Sequence, residues 1–395
     1  MKERLFNYRN TLLFLIVLKI TFLLFRVSSI EAREIELNGQ VSGWLAYSDQ
    51  WKIGTRYIPC LSILDPVPTK GAIDAEVSVN AYTWTSLDLM DEIDDNTRAK
   101  FYRLWVRYYG EQGELRLGLQ KVNFGPAQVL RSLMWFDQID ERDPLELTDG
   151  VKGLLFRYYF LNNANIWLWG LYGNNDLKGL ETYETDNKNP EVGGRLQVSL
   201  GKGDVAFSYH RRDVDVNIVL DESTGWRSNR RRKENLSGRV IKDGFEDRFA
   251  FDGKWDIGIG AWFEASVGKF SMDAEGSIWQ EWEEFLTLGT DYTMDIGPGV
   301  HVLYEHFVSS SGPELYEQDN NSNISAASVD FSVSVLDSIN AIGYYDWKQK
   351  ELYSFVSWQR TYDDWLITMS VFSSSETDTS AYSGDGALLM VTYNH

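Results

Sequence analysis

The sequence predicts an all-β fold, a transmembrane antiparallel β-barrel of about 18 strands with 16 as the alternative count. Three observations predict it. Short runs of alternating polarity recur along the chain, and a period of two places polar and apolar side chains on opposite faces of a sheet. The connections between these runs alternate between tight turns and long polar stretches, the asymmetry of barrels with short periplasmic turns and long external loops. Mean hydropathy is −0.32 although 43% of residues are hydrophobic. After the N-terminus no segment approaches the ~18 consecutive apolar residues of a membrane helix. A helix bundle could not be so polar; a barrel with a wet interior can. A soluble sandwich or propeller also alternates, but explains neither the turn asymmetry nor so many strands without a propeller-like repeat.

In chain order, Lys2, Arg4 and Arg9 precede an apolar stretch, 11–25, interrupted by Lys19; the small residues Ser28, Ser29 and Ala32 follow before strongly polar sequence. This is the pattern of a secretory signal peptide over 1–32, leaving the barrel domain over 33–395. Runs 38–47 and 51–58 form a hairpin around Ser48-Asp49-Gln50. Pro59, Pro66 and Pro68 mark a connection to run 72–85, whose Ile73, Ala75, Val77, Val79 and Ala81 share one face. That connection, 59–70, is long for the periplasmic side. After an acidic stretch, 88–95, runs 100–110 and 113–120 meet at Gly-Glu-Gln-Gly. The same grammar repeats in the pairs 151–160 and 165–172, 191–200 and 204–210, 246–252 and 256–267, and 285–295 and 300–307. Runs 329–335 and 341–347, 351–360 and 365–372, and finally 387–395 complete the set. Long polar stretches fall at 122–150, 174–190, 213–245, 268–284, 309–325 and 374–385. Val205, Phe207 and Tyr209, or Trp365, Ile367, Met369 and Val371, each share a parity suited to lipid, and Tyr and Trp gather toward strand ends as interfacial girdles.

The formal charge of −20 argues against nucleic acid as a partner. Cys60 is the single cysteine, so there is no disulfide framework within the chain, and it reads as a small apolar residue, buried or facing lipid. His301 and His306 fall on opposite faces of one strand, without the spacing or helix of a zinc-protease motif. No Gly-x-Ser-x-Gly elbow, phosphate loop or calcium loop stands out. Neither an enzymatic activity nor a cofactor or metal is expected.

Charge along the inward parity is the main candidate for function. Arg103 and Arg107, Arg116, Arg157, Arg195 and Arg212 all point inward on neighbouring strands, with Glu114 beside them. Asp252, Asp256, Glu264, Asp291 and Asp295 share the inward parity further along. Opposed rows of fixed charge in a narrow lumen focus the field and orient polar solutes. The alternative is that each arginine pairs locally, with Glu114, Glu191 or Asp204, inside a packed interior.

Stretch 122–150 is the third external loop. Val129, Leu130, Leu133, Met134, Trp135 and Phe136 are too apolar for a solvated loop, so the segment should fold into the barrel, with one or two helical turns. Asp137, Asp140, Glu141, Arg142, Asp143, Glu146 and Asp149 then surround the passage. Two outcomes remain open: the loop constricts the lumen, or it plugs it. Arg227, Arg230, Arg231, Arg232 and Lys233 form a basic cluster that either grips lipopolysaccharide phosphates or an anionic glycan, or is a solvated loop.

ELRLGLQKVNFGPAQVLRSLMWFDQID from Glu114, PEVGGRLQ from Pro190, SYHRR from Ser208, FDGKWDIGIGAWFEA from Phe251 and LGTDYTMDIGPGVHVLYEHF from Leu288 together resemble a group of porin-like outer-membrane β-barrel proteins of Gram-negative bacteria. That group is similar to alginate-export-type and other substrate-specific porins. The resemblance implies an outer-membrane location, lipid and lipopolysaccharide as surroundings, and the barrel-assembly machinery as a partner. It also implies passive diffusion of small hydrophilic solutes, charged or sugar-like ones included. The different-class alternative is a non-conducting barrel serving as a surface adhesin, glycan anchor or lipid-modifying enzyme. Assembly signals of such barrels usually end in an aromatic residue, whereas this chain ends Val391-Thr392-Tyr393-Asn394-His395; Tyr393 keeps the expected parity, which implies a weakened signal.

Overall fold

The computed structural model describes residues 34–48, 50–67, 71–87, 95–221, 225–228, 239–274, 277–316, 321–374 and 384–395. The expected signal segment, 1–32, and the side chains of the basic cluster at 227–233 lie outside the described residues.

Alternating side chains produce 18 barrel strands. They are β1 (Glu34–Ser48), β2 (Gln50–Val67), β3 (Gly71–Leu87), β4 (Asp95–Tyr109), β5 (Gly113–Gln120) and β6 (Val151–Tyr159). Next come β7 (Asn165–Leu171), β8 (Glu191–Leu200), β9 (Gly203–Asp221), β10 (Arg239–Asp256), β11 (Gly260–Ala274) and β12 (Ser277–Met294). The last six are β13 (Val300–Gly312), β14 (Asn321–Ser332), β15 (Asp337–Asp346), β16 (Glu351–Thr361), β17 (Trp365–Ser373) and β18 (Asp385–Asn394). Each pairs antiparallel with the next, and β18 returns to β1 from Gln40↔Asn394 to Ser48↔Gly386. Closure leaves no open sheet edge, as a lipid environment requires. Two short segments attach to β9: Glu184–Thr185 pairs at Val214 and Asp215, and Gly225–Ser228 folds back on its end.

One face of this wall belongs in lipid. On β9 and β10, Phe207, Phe249 and Phe251 stand exposed on the outside, while Trp365 and Tyr393 meet with ring centroids 4.8 Å apart near the periplasmic end. The opposite parity faces a filled interior. On β11 it runs Trp262, Glu264, Ser266, Gly268, Phe270 and Met272, all buried.

Four features differ from the sequence expectation. The connection expected at 59–70 is mostly strand: β2 pairs Gly39↔Pro59 with β1, and its register with β3 resumes at Cys60↔Ser78. Pro59 has no N–H to donate and sits where the β3 ladder is interrupted. Only residues 68–70 then separate β2 from β3, in keeping with the other periplasmic turns. Secondly, about half of the stretch at 213–245 and nearly all of that at 268–284 belong to β9–β12. These strands have 15 to 19 residues against the ~9–11 that cross a bilayer, so they project beyond it. Thirdly, β4 carries a bulge: Ser78 pairs with Arg103 but Val79 with Phe101, which leaves Tyr102 as the extra residue. Arg103, Trp105 and Arg107 point inward below it, Tyr102 and Lys100 above it, so the parity reverses within one strand. Finally, stretch 122–150 contains turns but no helix; its backbone N–H groups donate to the wall carboxylates Glu264 and Glu305, to loop side chains such as Asp143, and in isolated turns to loop carbonyls, as Glu146 does to Asp143.

Candidate functional site

The third external loop, 121–150, crosses the barrel interior because its apolar residues find partners on the inner wall. Val122, Phe124, Leu133, Trp135 and Phe136 are buried in one cluster with Val151 and Leu155 of β6, Trp169 and Leu171 of β7, and Ala250 of β10. Phe124 lies edge-on to Trp135 at 5.4 Å and stacked on Trp169 at 5.9 Å. Ala127 packs against Trp262 and Leu303, and Val129 and Leu145 reach the cluster of Phe355, Leu388 and Met390 on the far wall. Burying each large apolar side chain contributes about 1.5–3 kcal/mol.

Two fully buried glutamates bind the loop backbone. Glu264 accepts from the N–H of Ala127 (2.9 Å) and of Leu133 (3.0 Å). Glu305 accepts from the N–H groups of Gln128 (2.8 Å), Val129 (2.9 Å) and Leu130 (2.5 Å), and from the Trp262 indole (3.0 Å). Gly125, at φ +98°, lets the chain pass this close; a Cβ there would collide with the Glu264 carboxylate. The buried Arg131–Asp137 ion pair, 2.6 Å, fixes the turn that follows.

A second loop, 172–190, also folds inward, which the sequence reading missed; Leu180 and Tyr183 were its signal within a polar run. Tyr183 stacks on Phe270 at 4.6 Å and donates to Glu281 (2.8 Å), and Thr182 donates to Glu283 (2.6 Å). Below it Arg212 and Arg248 share Glu246 (2.6 and 2.7 Å) and Glu181 (3.1 and 3.3 Å). His210 lies between Trp169, whose indole donates to Nδ1 (3.1 Å), and Glu191 (3.3 Å). The interior facing β6–β13 is thereby occupied by packed side chains and neutralised charge.

The sequence-predicted charged residues fall into distinct settings. Arg195 forms a buried two-point pair with Asp252, 2.6 and 2.7 Å. The expected opposition of an arginine row to an acidic row across an open lumen is therefore incorrect on this side: β8 and β10 flank β9, and a long guanidinium side chain reaches across one strand. Glu264 holds the loop backbone, Asp256 is exposed by the periplasmic turn and accepts from Gly258 N (3.3 Å), and Asp291 faces His301 at 3.4 Å. Asp140 pairs with Arg142 at 2.9 Å. On the β3–β6 wall, Arg107 pairs with Asp74 (2.5 Å) and Glu114 (3.2 Å), and Glu114 also holds Arg157 (3.0 Å). Arg103 donates to the Thr148 carbonyl at 3.1 Å, tying the loop to β4. Arg116 differs. Its guanidinium lies 4.7 Å above Trp105, its Nε is buried without a hydrogen-bond partner, and among the described residues it forms no ion pair.

Between loop residues 138–149 and the inner faces of β2–β4 lies a polar cavity of about 240 Å³. Lys100 and Asp149 pair across its edge at 2.6 Å. Arg56 enters from β2, flanked by Trp44 at 5.6 Å and Tyr82 at 5.2 Å. It was missed in the sequence, although it shares the inward parity of Lys52 and Gly54. Asp143 accepts from Leu145 N (3.0 Å) and Leu147 N (3.2 Å); burial pushes its carboxyl up, against those two N–H groups and Arg56. Burial together with Glu146, Glu305 and Asp140 pushes the neighbouring Glu141 carboxyl up to about 7, against the opposing effect of Arg131.

No protein-family model matches the chain, and no curated protein matches its sequence. Among solved structures the barrel is similar to OccAB1 of Acinetobacter baumannii, at 9% identity and a TM-score of 0.51, over 92% of this chain and 96% of that one. It also aligns with the outer-membrane protein OmpT of Vibrio cholerae, at 11% identity and 0.49, over 92% and 100%. The outer-membrane channel DcaP of Acinetobacter baumannii aligns at 12% identity and 0.48, over 93% and 99%. At such identities the likeness is one of fold. The chain has the closed antiparallel barrel fold of porin-like outer-membrane barrels.

Proposed function

We propose that the protein is an outer-membrane channel through which small hydrophilic solutes diffuse passively, along the side of the lumen formed by β1–β5. The observation that carries this reading is the polar cavity between loop residues 138–149 and β2–β4, lined by Arg56; Arg56 and, on β5, Arg116 have no ion-pair partner among the described residues. Loop 121–150 acts as the constriction, held from the far side by Glu264 and Glu305. Arg103, Arg107, Glu114, Arg116 and Arg157 set the potential of one wall, and Asp137, Asp140, Arg142 and Asp143 belong to the other. Arg195, Asp252 and Glu264 position that loop and its packing and do not contact the solute; Asp256 and Asp291 lie toward the periplasmic exit. The apolar outer face takes outer-membrane lipid as its surroundings, with lipopolysaccharide at the external rim.

Single-channel recording of purified protein in planar bilayers tests the reading. Discrete openings are expected; a barrel that inserts and never opens contradicts it. The two inward-folded loops favour a second reading, a non-conducting barrel acting at the cell surface, and the same recording separates the two.

A further inference from the structure

The cavity contains two polar groups whose hydrogen-bonding capacity the protein does not meet. The Arg56 guanidinium sits between two rings, its Nε is buried with no hydrogen-bond partner, and among the described residues no carboxylate pairs with it. Aromatic faces stabilise a cation from above and below but leave donors in the guanidinium plane free. A desolvated charge without a paired anion is costly, so an anion entering the cavity relieves it. Two residues before Tyr82 on β3, Asn80 is 4% exposed and its Oδ1 also lacks a partner. An orphaned acceptor of this kind takes an N–H or O–H. The carboxylates nearest Arg56 act on it through their charge without hydrogen-bonding it: Asp149 is held by Lys100, and Asp143 by the N–H groups of Leu145 and Leu147.

We propose that Arg56 and Asn80 form a binding site for a small carboxylate that carries a hydrogen-bond donor on the adjacent carbon, an α-hydroxy or α-amino acid. The carboxylate takes the two-point geometry that a guanidinium favours. The α-hydroxyl or α-amino group donates to Asn80 Oδ1. At about 240 Å³ the cavity is smaller than the ~300–1,000 Å³ pockets of drug-sized ligands, which restricts the solute to a few carbons. A simple fatty acid satisfies Arg56 but has no donor for Asn80, and inorganic phosphate carries its O–H on the same atom as its acceptor oxygens, a shorter span than a carboxylate with an α-donor.

The site rests on the channel reading but is measured without transport. Full-length protein in detergent micelles is titrated with lactate, alanine, propionate, alaninamide and inorganic phosphate, followed by calorimetry and by Trp fluorescence, since Trp44 flanks Arg56. Lactate and alanine are expected to bind saturably. Propionate, lacking the donor, binds roughly threefold to tenfold more weakly, and alaninamide, lacking the carboxylate, does not bind. Arg56→Gln weakens lactate by roughly thirtyfold or more, while Asn80→Leu abolishes the preference for lactate over propionate. Folded-barrel gel mobility of each variant excludes misfolding. The proposal is overturned if lactate does not saturate, if phosphate or propionate binds as well as lactate, or if folded Arg56→Gln binds unchanged. Openings without lactate binding remove the site and leave the channel; lactate binding without openings does the reverse.

Discussion

The two sides of the barrel interior use the same residue types to different ends. Toward β6–β13, arginine and carboxylate occur in matched, buried sets: Arg195 with Asp252, Arg212 and Arg248 with Glu246 and Glu181. Trp135, Phe124 and Trp169 fill the space between. Toward β1–β5, arginines stack on aromatic faces, two of them without a carboxylate, and a cavity remains. In the first region charge is consumed by structure. In the second it is left available to solute. An inward arginine therefore says little about selectivity until its neighbours are known, because a two-point pair neutralises it locally.

The largest effect expected comes from breaking the division itself. Glu305→Ala orphans three loop N–H groups and an indole, and each buried donor left unpaired costs about 1–3 kcal/mol. The loop should leave the far wall, making Arg131 a trypsin site and raising single-channel conductance. Intact protein after digestion, with unchanged conductance, would show that apolar packing and the Glu264 contacts hold the loop without Glu305.

Two substitutions then contrast the sides. Arg195→Met strands buried Asp252 at a cost of about 3–5 kcal/mol, lowering the urea midpoint while the reversal potential stays fixed. Arg116→Met should do the opposite, moving the reversal potential toward cation preference with little loss of stability. Equal shifts in selectivity from both would erase the distinction between paired and unpaired arginines.

The smallest effect concerns pH. The Glu141 carboxyl titrates near 7 in the packed loop, above its ordinary value, so its packing favours the protonated form. That contribution is complete below the ordinary carboxylate range and is lost as pH rises through about 7. Conductance fluctuations should accordingly be quieter at pH 5 than at pH 8, a difference that Glu141→Gln removes. A pH dependence that survives the substitution would assign it to another group.

The strand set was legible because period-two alternation is local: every barrel strand overlaps a run visible in the sequence. The inward fold of 129–136 was legible too, since Trp135 and Phe136 have no place in a solvated loop. What escaped depends on pairing. The Tyr102 bulge reverses the parity of upper β4 and appears only once Val79 is matched to Phe101. Glu264 read as an inward acid in a charge row, whereas its role is to accept from Ala127 and Leu133, more than a hundred residues away. Glu305 carried no sequence signal at all beyond its parity. Likewise β9–β12 run on through polar sequence, because cross-strand hydrogen bonding continues above the bilayer where alternation of hydrophobicity is no longer required.

Cysteine accessibility during single-channel recording tests the division of the lumen most directly. In a Cys60→Ser background, Asn80→Cys places a thiol in the β2–β4 cavity and Ser266→Cys places one under Trp135 in the filled side. Adding a negatively charged thiosulfonate should lower the conductance of Asn80→Cys stepwise and leave Ser266→Cys unchanged. Block at Ser266→Cys with none at Asn80→Cys would put the passage on the other side of the barrel and contradict the account.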